Sequence, residues 1–546
     1  TSSGNNTSNR GNQHKFGVPA RGSAALPTGD SRRMERERPL ANAAMAWEDV
    51  AQLAKVGLVL LFLLHCLRLL ANTTADLDLW GYLAFGRLFW QTGAFPYHDI
   101  FTYVPTHPLW VYHEWLTGVL FYPLYNGLGP WALQLLKNVV ALSTLALIYL
   151  TARRRRADFG GALAMLWVIS GFLKSDYSPV RAQVFTYFFF ALSLFLLETA
   201  KGTQSWARLM WLIPIQIIWS NLHGGFLAGL GLAGIFAVGE ALARRPFRAY
   251  LVFGVLAGLA TLINPYGLDY WRYLLAAVSM PRPEIVEWTS TFTSLSAGAY
   301  QVNSLCFIII VYFAVALLAW SRSGGATVYL ALAVTLYLSL RHVRHQIFFL
   351  LLSAVYLAAP FSAYLARFRT LPITARLWNR LDYRWLATAY AVVFIMLTVH
   401  LATLQPLQLL TPSVTEQSTD IIQYPTGAVT FIQRHALTGN LLADFDWGEY
   451  LLWRLYPQCR IAIDGRYETV YPEKVVRPYM DFIFARPDWQ RFLQDYPPDM
   501  ILIKNNSRIY KLLQADANWQ QVFTDQGSVL FVRSDHSLST AWEARR

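Results

Sequence analysis

Apolar residues fall in long runs over the first three quarters of the chain, at 51–71, 131–151, 160–174, 182–199, 207–221, 226–243, 249–264, 304–320, 326–340, 346–363 and 385–404. A membrane-spanning helix needs roughly 20 apolar residues. The pattern therefore predicts about eleven spans. Basic residues fill every second gap. Arg32–Arg38 precede the first run, Arg153–Arg156 follow the second, and Lys201 and Arg208 follow the fourth. Arg244, Arg245 and Arg248 follow the sixth, Arg322 the eighth, and Arg367, Arg369, Arg376 and Arg380 the tenth. Short loops rich in Lys and Arg face the cytoplasm, so the expectation is a multi-pass protein of the plasma (inner) membrane with a cytoplasmic N-terminus and an extracytoplasmic C-terminus.

The opposite gaps collect other residues. They hold the stretch 75–115, Lys174-Ser-Asp176 with Arg181, Asn221-Leu-His223-Gly-Gly225, Asn264-Pro-Tyr-Gly267 with Glu284 and Glu287, and Arg341-His342-Val-Arg344-His345. A charge near the bilayer centre costs about 2.5–3.5 kcal/mol on insertion scales, whereas span ends tolerate it. Their convergence on one side predicts a shared cavity at the outer membrane surface.

Beyond Thr411 the pattern changes. A polar stretch gives way to alternating helical and strand signals, with helices expected at Ala428–Leu437 and Glu473–Ala485. Strands are expected at Leu441–Ala443, Arg460–Asp464, Met500–Lys504 and Val529–Arg533, bounded by Gly, Pro, Asn and Asp. The domain reading is a disordered cytoplasmic tail over 1–45, a transmembrane region over 46–410 with its first extracytoplasmic loop at 72–130, a linker at 411–426, and an extracytoplasmic α/β domain over 427–546. The fold class is thus an all-α polytopic membrane protein carrying a small C-terminal α/β domain.

Composition agrees: 55% of residues are hydrophobic and 14% charged, too apolar for an ordinary soluble protein. The formal net charge of +13 is spread over short loops between spans. That distribution follows the membrane charge rule and excludes nucleic acid as a partner. Cys66 and Cys306 lie in apolar runs and Cys459 stands alone, so no disulfide framework is indicated.

The candidate chemistry centres on the first loop, where Asp76, Asp78, Asp99 and Glu114 are interleaved with Trp80, Trp90, Trp110 and Trp115. Asp76 suits a helix N-cap and Asp78 the first helical turn. Two residues apart on a helix, only one of them should face the cavity. Asp78-Leu-Trp-Gly-Tyr82-Leu-Ala-Phe-Gly86-Arg87, followed by Gly93, resembles the first-loop signature of the GT-C superfamily of integral-membrane glycosyltransferases. Asp99, and Trp110 to Leu116 with His113 and Glu114, extend the resemblance. It implies a GT-C-like fold and a sugar moved from a polyprenyl-phosphate donor at the extracytoplasmic surface. A first-loop Asp, here Asp78, would be the general base. Tyr82 and Arg87 match signature positions and would contact substrate, as would Asp99 and His113. Leu79 stands where many relatives carry Glu, which makes Asp76 and Glu114 the reserve acids.

The chemistry is consistent with such a site. An acceptor hydroxyl has a high pKa and gains from a carboxylate within hydrogen-bond reach. A lipid phosphate leaves readily once its charge is neutralised, so an inverting transfer needs one base and a cationic clamp. Lys174, Arg181, Arg341 and Arg344 are the clamp candidates, with His223, His342 and His345 beside them. If 341, 344 and 345 continue a helix, they share one face. Lys137, inside the second run, has the same ambiguity between clamp and scaffold. His342 and His345 with His113 and Glu114 form the alternative, a divalent metal site; no other cofactor is called for. Asp464-Gly-Arg466 reads either as a turn presenting two charges or as an internal ion pair. The expected partners are the bilayer, a polyprenyl-phosphate-linked sugar, and a glycan, lipid or protein acceptor. The rival readings are a non-catalytic or transport protein for lipid-linked saccharides and a structural subunit of a membrane complex.

Overall fold

The computed structural model describes residues 52–172, 179–280, 285–296, 300–322, 324–370, 391–392, 394–399, 415–416 and 423–534. The 1–45 tail, Lys174, Glu284, and most of the eleventh run and of the linker lie outside these residues.

Helices occupy the first ten apolar runs, but not as uniform spans. Gln52–Leu70, Pro130–Arg154, Gln183–Thr203, Gly224–Leu242 and Gln301–Ser321 are long and apolar enough to cross a membrane. Val343–Tyr356 and Ala358–Phe368 pass the same test as a pair bent by 50°. Leu212–Leu222, by contrast, has 11 residues. At 1.5 Å per residue it is about 16 Å long, near half the hydrocarbon thickness. Phe159–Ser170, Arg248–Ala260 and Ala326–Arg341 are also short, at 12, 13 and 16 residues. Among the described residues, five helices and one bent pair meet that length test, with shorter apolar helices between them. Extended backbone at His223 and His342 ends two of the short ones.

Two sets of polar groups lie at helix ends. In one, Arg155 pairs with Glu198 at 2.7 Å, the Tyr356 hydroxyl donates to Glu198 at 3.0 Å, and Lys201 and Thr327 both bond Glu240. These are residues of the basic gaps and their neighbours. The other set is the site described below. Lys137 belongs to neither: its Nζ donates to the Leu70 carbonyl at 2.6 Å, and it is 1% exposed. It is scaffold.

The C-terminal α/β region is a five-stranded sheet. Its strands are β1 (Gly439–Ala443), β2 (Cys459–Ile461), β3 (Met500–Lys504), β4 (Trp519–Thr524) and β5 (Ser528–Arg533), in the order β2-β1-β3-β5-β4. β1 pairs in parallel with β2 and β3, while β5 is antiparallel to β3 and β4. Helices Thr426–Arg434, Gly448–Leu455, Glu473–Ile483, Gln490–Asp495 and Arg508–Ala515 complete it.

This region is built onto the first loop. The Ile461 N–H donates to the Phe101 carbonyl at 3.1 Å and the Tyr103 N–H to the Ile461 carbonyl at 3.3 Å. A loop segment thereby lies along edge strand β2, the strand-addition mode of recognition. Thr74 and Thr415 form a second parallel bridge. Trp80, on the first-loop helix Leu79–Thr92, is 1% exposed among the rings of Tyr424, Tyr450 and Trp453. Arg87 stacks 4.4 Å over Trp453. The first loop and the C-terminal region therefore lie on the same side of the helices.

Asp464-Gly-Arg466 forms a buried ion pair. Arg466 bonds both Asp464 oxygens at 2.6 and 2.8 Å and Asp99 at 2.5 Å. The Tyr471 hydroxyl adds a bond to Asp464 at 2.6 Å, and the guanidinium lies over Phe101 and Trp110 at 5.1 and 4.8 Å.

Candidate active site

The first-loop helix begins at Leu79 with Asp78 as its N-cap and Gly93, in the left-handed conformation, as its C-cap. The expected assignment of the two acids is corrected here. Asp78 occupies the cap position, and Asp76 lies before the helix, its Oδ1 accepting the Asp78 N–H at 3.1 Å. With Asp76 outside the helix, the helical argument that only one acid can face the site lapses. Both face the same cation.

That cation is Arg181, which immediately precedes the helix Gln183–Thr203. Its Nη2 is 2.5 Å from Asp78 Oδ2, its Nε 3.1 Å from Asp76 Oδ1, and its Nη1 2.9 Å from Glu287 Oε1. Three carboxylates thus share one guanidinium and leave the cluster with excess negative charge. Asp78 is the most open of the three, with 34% of its side chain exposed against 10% for Asp76 and 25% for Glu287. Burial pushes the Asp76 carboxyl up to about 7, against the pull of Arg181. Burial also opposes ionisation of Glu287, but Arg181 and Arg344 outweigh it and hold that carboxyl below its usual range. Arg181 is saturated by carboxylates, which removes it from the phosphate-clamp candidates.

Glu114 sits in a different setting. The Tyr82 hydroxyl donates to it, and His223 Nε2 lies 3.3 Å from its Oε1. His223 Nδ1 accepts the Gly225 N–H at 2.9 Å and lies 2.7 Å from the Thr186 hydroxyl. The proton is therefore on Nε2, aimed at Glu114. His113 Nε2 is 3.8 Å from the same oxygen, and its ring stacks on Tyr273. Burial first, then the neighbouring Asp78 charge, push the Glu114 carboxyl up to about 8. Asp78 is tied to a cation, whereas Glu114 is lined by neutral donors. Such division commonly separates acid and base roles.

A polar cavity adjoins the cluster, lined by Arg181, Glu287, Tyr300, Asn303, Arg344 and Gln346 among others. Arg344 reaches it from the bend before Gln346 and lies 4.6 Å over the Trp288 ring. The expected shared face of 341, 344 and 345 does not form. The helix ends at Arg341, His342 is extended, and Val343–His345 make a separate turn. Arg341 is exposed and does not line the cavity. His342 Nδ1 is bonded to the Trp288 carbonyl at 2.7 Å, and His345 packs beside both rings.

Two other first-loop candidates are placed in the contact with the C-terminal region. Asp99 holds Arg466 with none of its side chain exposed, and Arg87 is spent on Trp453. Among the described residues no group of three or more His, Cys, Asp or Glu is arranged to hold a metal ion. Sequence reasoning missed Glu449, from the helix Gly448–Leu455. Its Oε2 accepts the Gly81 N–H at 3.0 Å across 368 residues. It is 6% exposed.

These features define a helical multi-pass membrane protein with a carboxylate–guanidinium site at its helix ends. No family model matches the chain, and no curated protein sequence matches it. Solved structures similar to it include the following three. ArnT from Cupriavidus metallidurans bound to undecaprenyl phosphate shares 14% identity over 88% of this chain and 98% of that one, with a TM-score of 0.49. The Archaeoglobus fulgidus oligosaccharyltransferase in complex with Zn and sulfate shares 12% over 82% and 68%, with a TM-score of 0.48. The arabinofuranosyltransferase AftD from Mycobacteria shares 16% over 89% and 40%, with a TM-score of 0.35.

Proposed function

We propose that this protein is a membrane glycosyltransferase that moves a sugar from a polyprenyl-phosphate donor to an acceptor hydroxyl at the extracytoplasmic surface. The observation that carries the reading is the position of Asp78. It is the most accessible of three acids gathered on Arg181, and Arg181 also lines the cavity where Arg344 stands. A carboxylate and a cation beside one polar cavity are the two groups an inverting transfer requires. The acceptor O–H gives its proton to Asp78 as its oxygen bonds the anomeric carbon. The bond from that carbon to the phosphate oxygen breaks, and the electron pair stays with the phosphate. Arg344 stabilises the departing charge, for which a guanidinium fork is suited because it donates two hydrogen bonds and keeps its charge. Arg181 holds Asp78 and Asp76 in place.

The donor-binding step gives the test. With the protein in lipid nanodiscs, Arg344→Gln should weaken a polyprenyl-phosphate-sugar by about 1.5–3 kcal/mol, the loss of a charged hydrogen bond. A neutral lipid analogue should bind both forms alike. Unchanged donor affinity in folded Arg344→Gln protein would return Arg344 to anchoring the span end at lipid headgroups.

A further inference from the structure

Asp78 occupies the N-cap of the first-loop helix, a position with a regular duty. An N-cap Asp ordinarily accepts the N–H of the second or third helical residue. The third residue here is Gly81. Asp78 makes no such bond, and its Oδ2 is on Arg181 instead. The Gly81 N–H goes to Glu449, supplied by the C-terminal region.

We propose that Glu449 caps the first-loop helix in place of Asp78, and that this substitution leaves the Asp78 carboxylate on Arg181, where the reaction can use it. The proposal rests on the reading of Asp78 as base and makes Glu449 a positioning residue. The C-terminal region thereby becomes part of the catalytic site.

The seat for Glu449 is shaped by two glycines, one on each side of the contact. A Cβ on Gly81 would lie 2.2 Å from Glu449 Oε2, and one on Gly465 would lie 2.9 Å from Oε1. Any side chain at either position would displace the carboxyl. The aromatic packing of Trp80 on Tyr450 and Trp453, which flank Glu449 on its helix, fixes the approach. Burial, then the charges of Asp78 and Asp464, push the Glu449 carboxyl well above its usual range. That shift favours the neutral carboxyl, which can accept the Gly81 N–H without adding charge beside Asp78. A glutamine can do the same, since its amide oxygen accepts equally well.

The test uses the full chain in nanodiscs, with sugar transfer measured as a function of pH. Glu449→Gln should keep kcat within about twofold of wild type, with an unchanged profile. Glu449→Leu removes the acceptor, so Asp78 turns back to cap Gly81. Its kcat should fall about tenfold or more through lost orientation, with KM for the donor unchanged. The acid limb of its profile should move to higher pH, because Asp78 then exchanges its ion pair with Arg181 for a neutral backbone donor. A fall in kcat with an unmoved limb would mean only structural damage and would overturn the proposal. Loss of activity in folded Glu449→Gln would overturn it too, since the proton rather than the acceptor oxygen would then matter. That arm decides alone if Glu449→Leu does not fold. Full activity in Asp78→Asn would instead sink the base assignment itself, whatever the Glu449 variants do.

Discussion

The protein contains two arginine–carboxylate clusters built from the same groups with opposite exposure. Around Arg466, Asp99 and Asp464 are closed off, with 2%, 0% and 0% of their side chains exposed. Two acids, a tyrosine hydroxyl and two aromatic faces surround that cation. Around Arg181, three acids share the cation, and every member keeps some contact with the cavity or solvent. A sealed cluster fixes one geometry and offers nothing to a ligand. An open cluster with surplus carboxylate has a group left for chemistry. Ion-pair distances are alike in the two places, so exposure is what separates architecture from function.

The comparison can be broken most forcefully at the sealed cluster. Arg466→Leu leaves two buried carboxylates without their cationic partner, a change that costs about 3–5 kcal/mol. A thermal unfolding scan in nanodiscs should show a large fall in Tm, with the C-terminal region released from the first loop. A change under about 1 kcal/mol, the range of an exposed pair, would mean that the cluster is not sealed. A smaller effect should appear at Glu114. Its carboxyl is raised to about 8 in the folded protein, so it favours the folded state below the usual carboxylate range. That contribution is lost as pH rises toward 8. Glu114→Gln removes the titration. The variant should therefore gain in Tm relative to wild type between pH 5 and pH 8. Parallel Tm curves across that window would show that Glu114 is ionised throughout.

The apolar runs and the alternation of basic gaps were legible because burial in lipid imposes a long hydrophobic period. Two of these runs stop at polar motifs, and the helices end there as well, at His223 and His342. In the C-terminal region, β1, β3 and β5 were legible as apolar segments. β4 was not, because Gln520 and Gln521 give an edge strand no alternation. Asp78, Arg181 and Glu287 each stood out as polar groups at span ends. Their pairing did not, since 103 and 106 residues separate the partners. The joint face of Arg341 and Arg344 assumed a helix that in fact stops at Arg341. Glu449 carried no local signal at all, because its role depends on docking against a glycine amide far away in sequence.

In the proposed reaction Asp78 takes the acceptor's proton, and replacing that one carboxylate is the sharpest test of its role. Asp78→Asn is nearly isosteric and leaves Arg344 and the cavity in place. In purified, folded protein with a polyprenyl-phosphate-sugar donor and a hydroxyl acceptor, the account predicts that sugar transfer falls by about 10²–10⁴-fold, the usual contribution of a positioned base. Donor affinity should change little. Transfer at the wild-type rate in Asp78→Asn would contradict the claim and move the search for a base to Glu114.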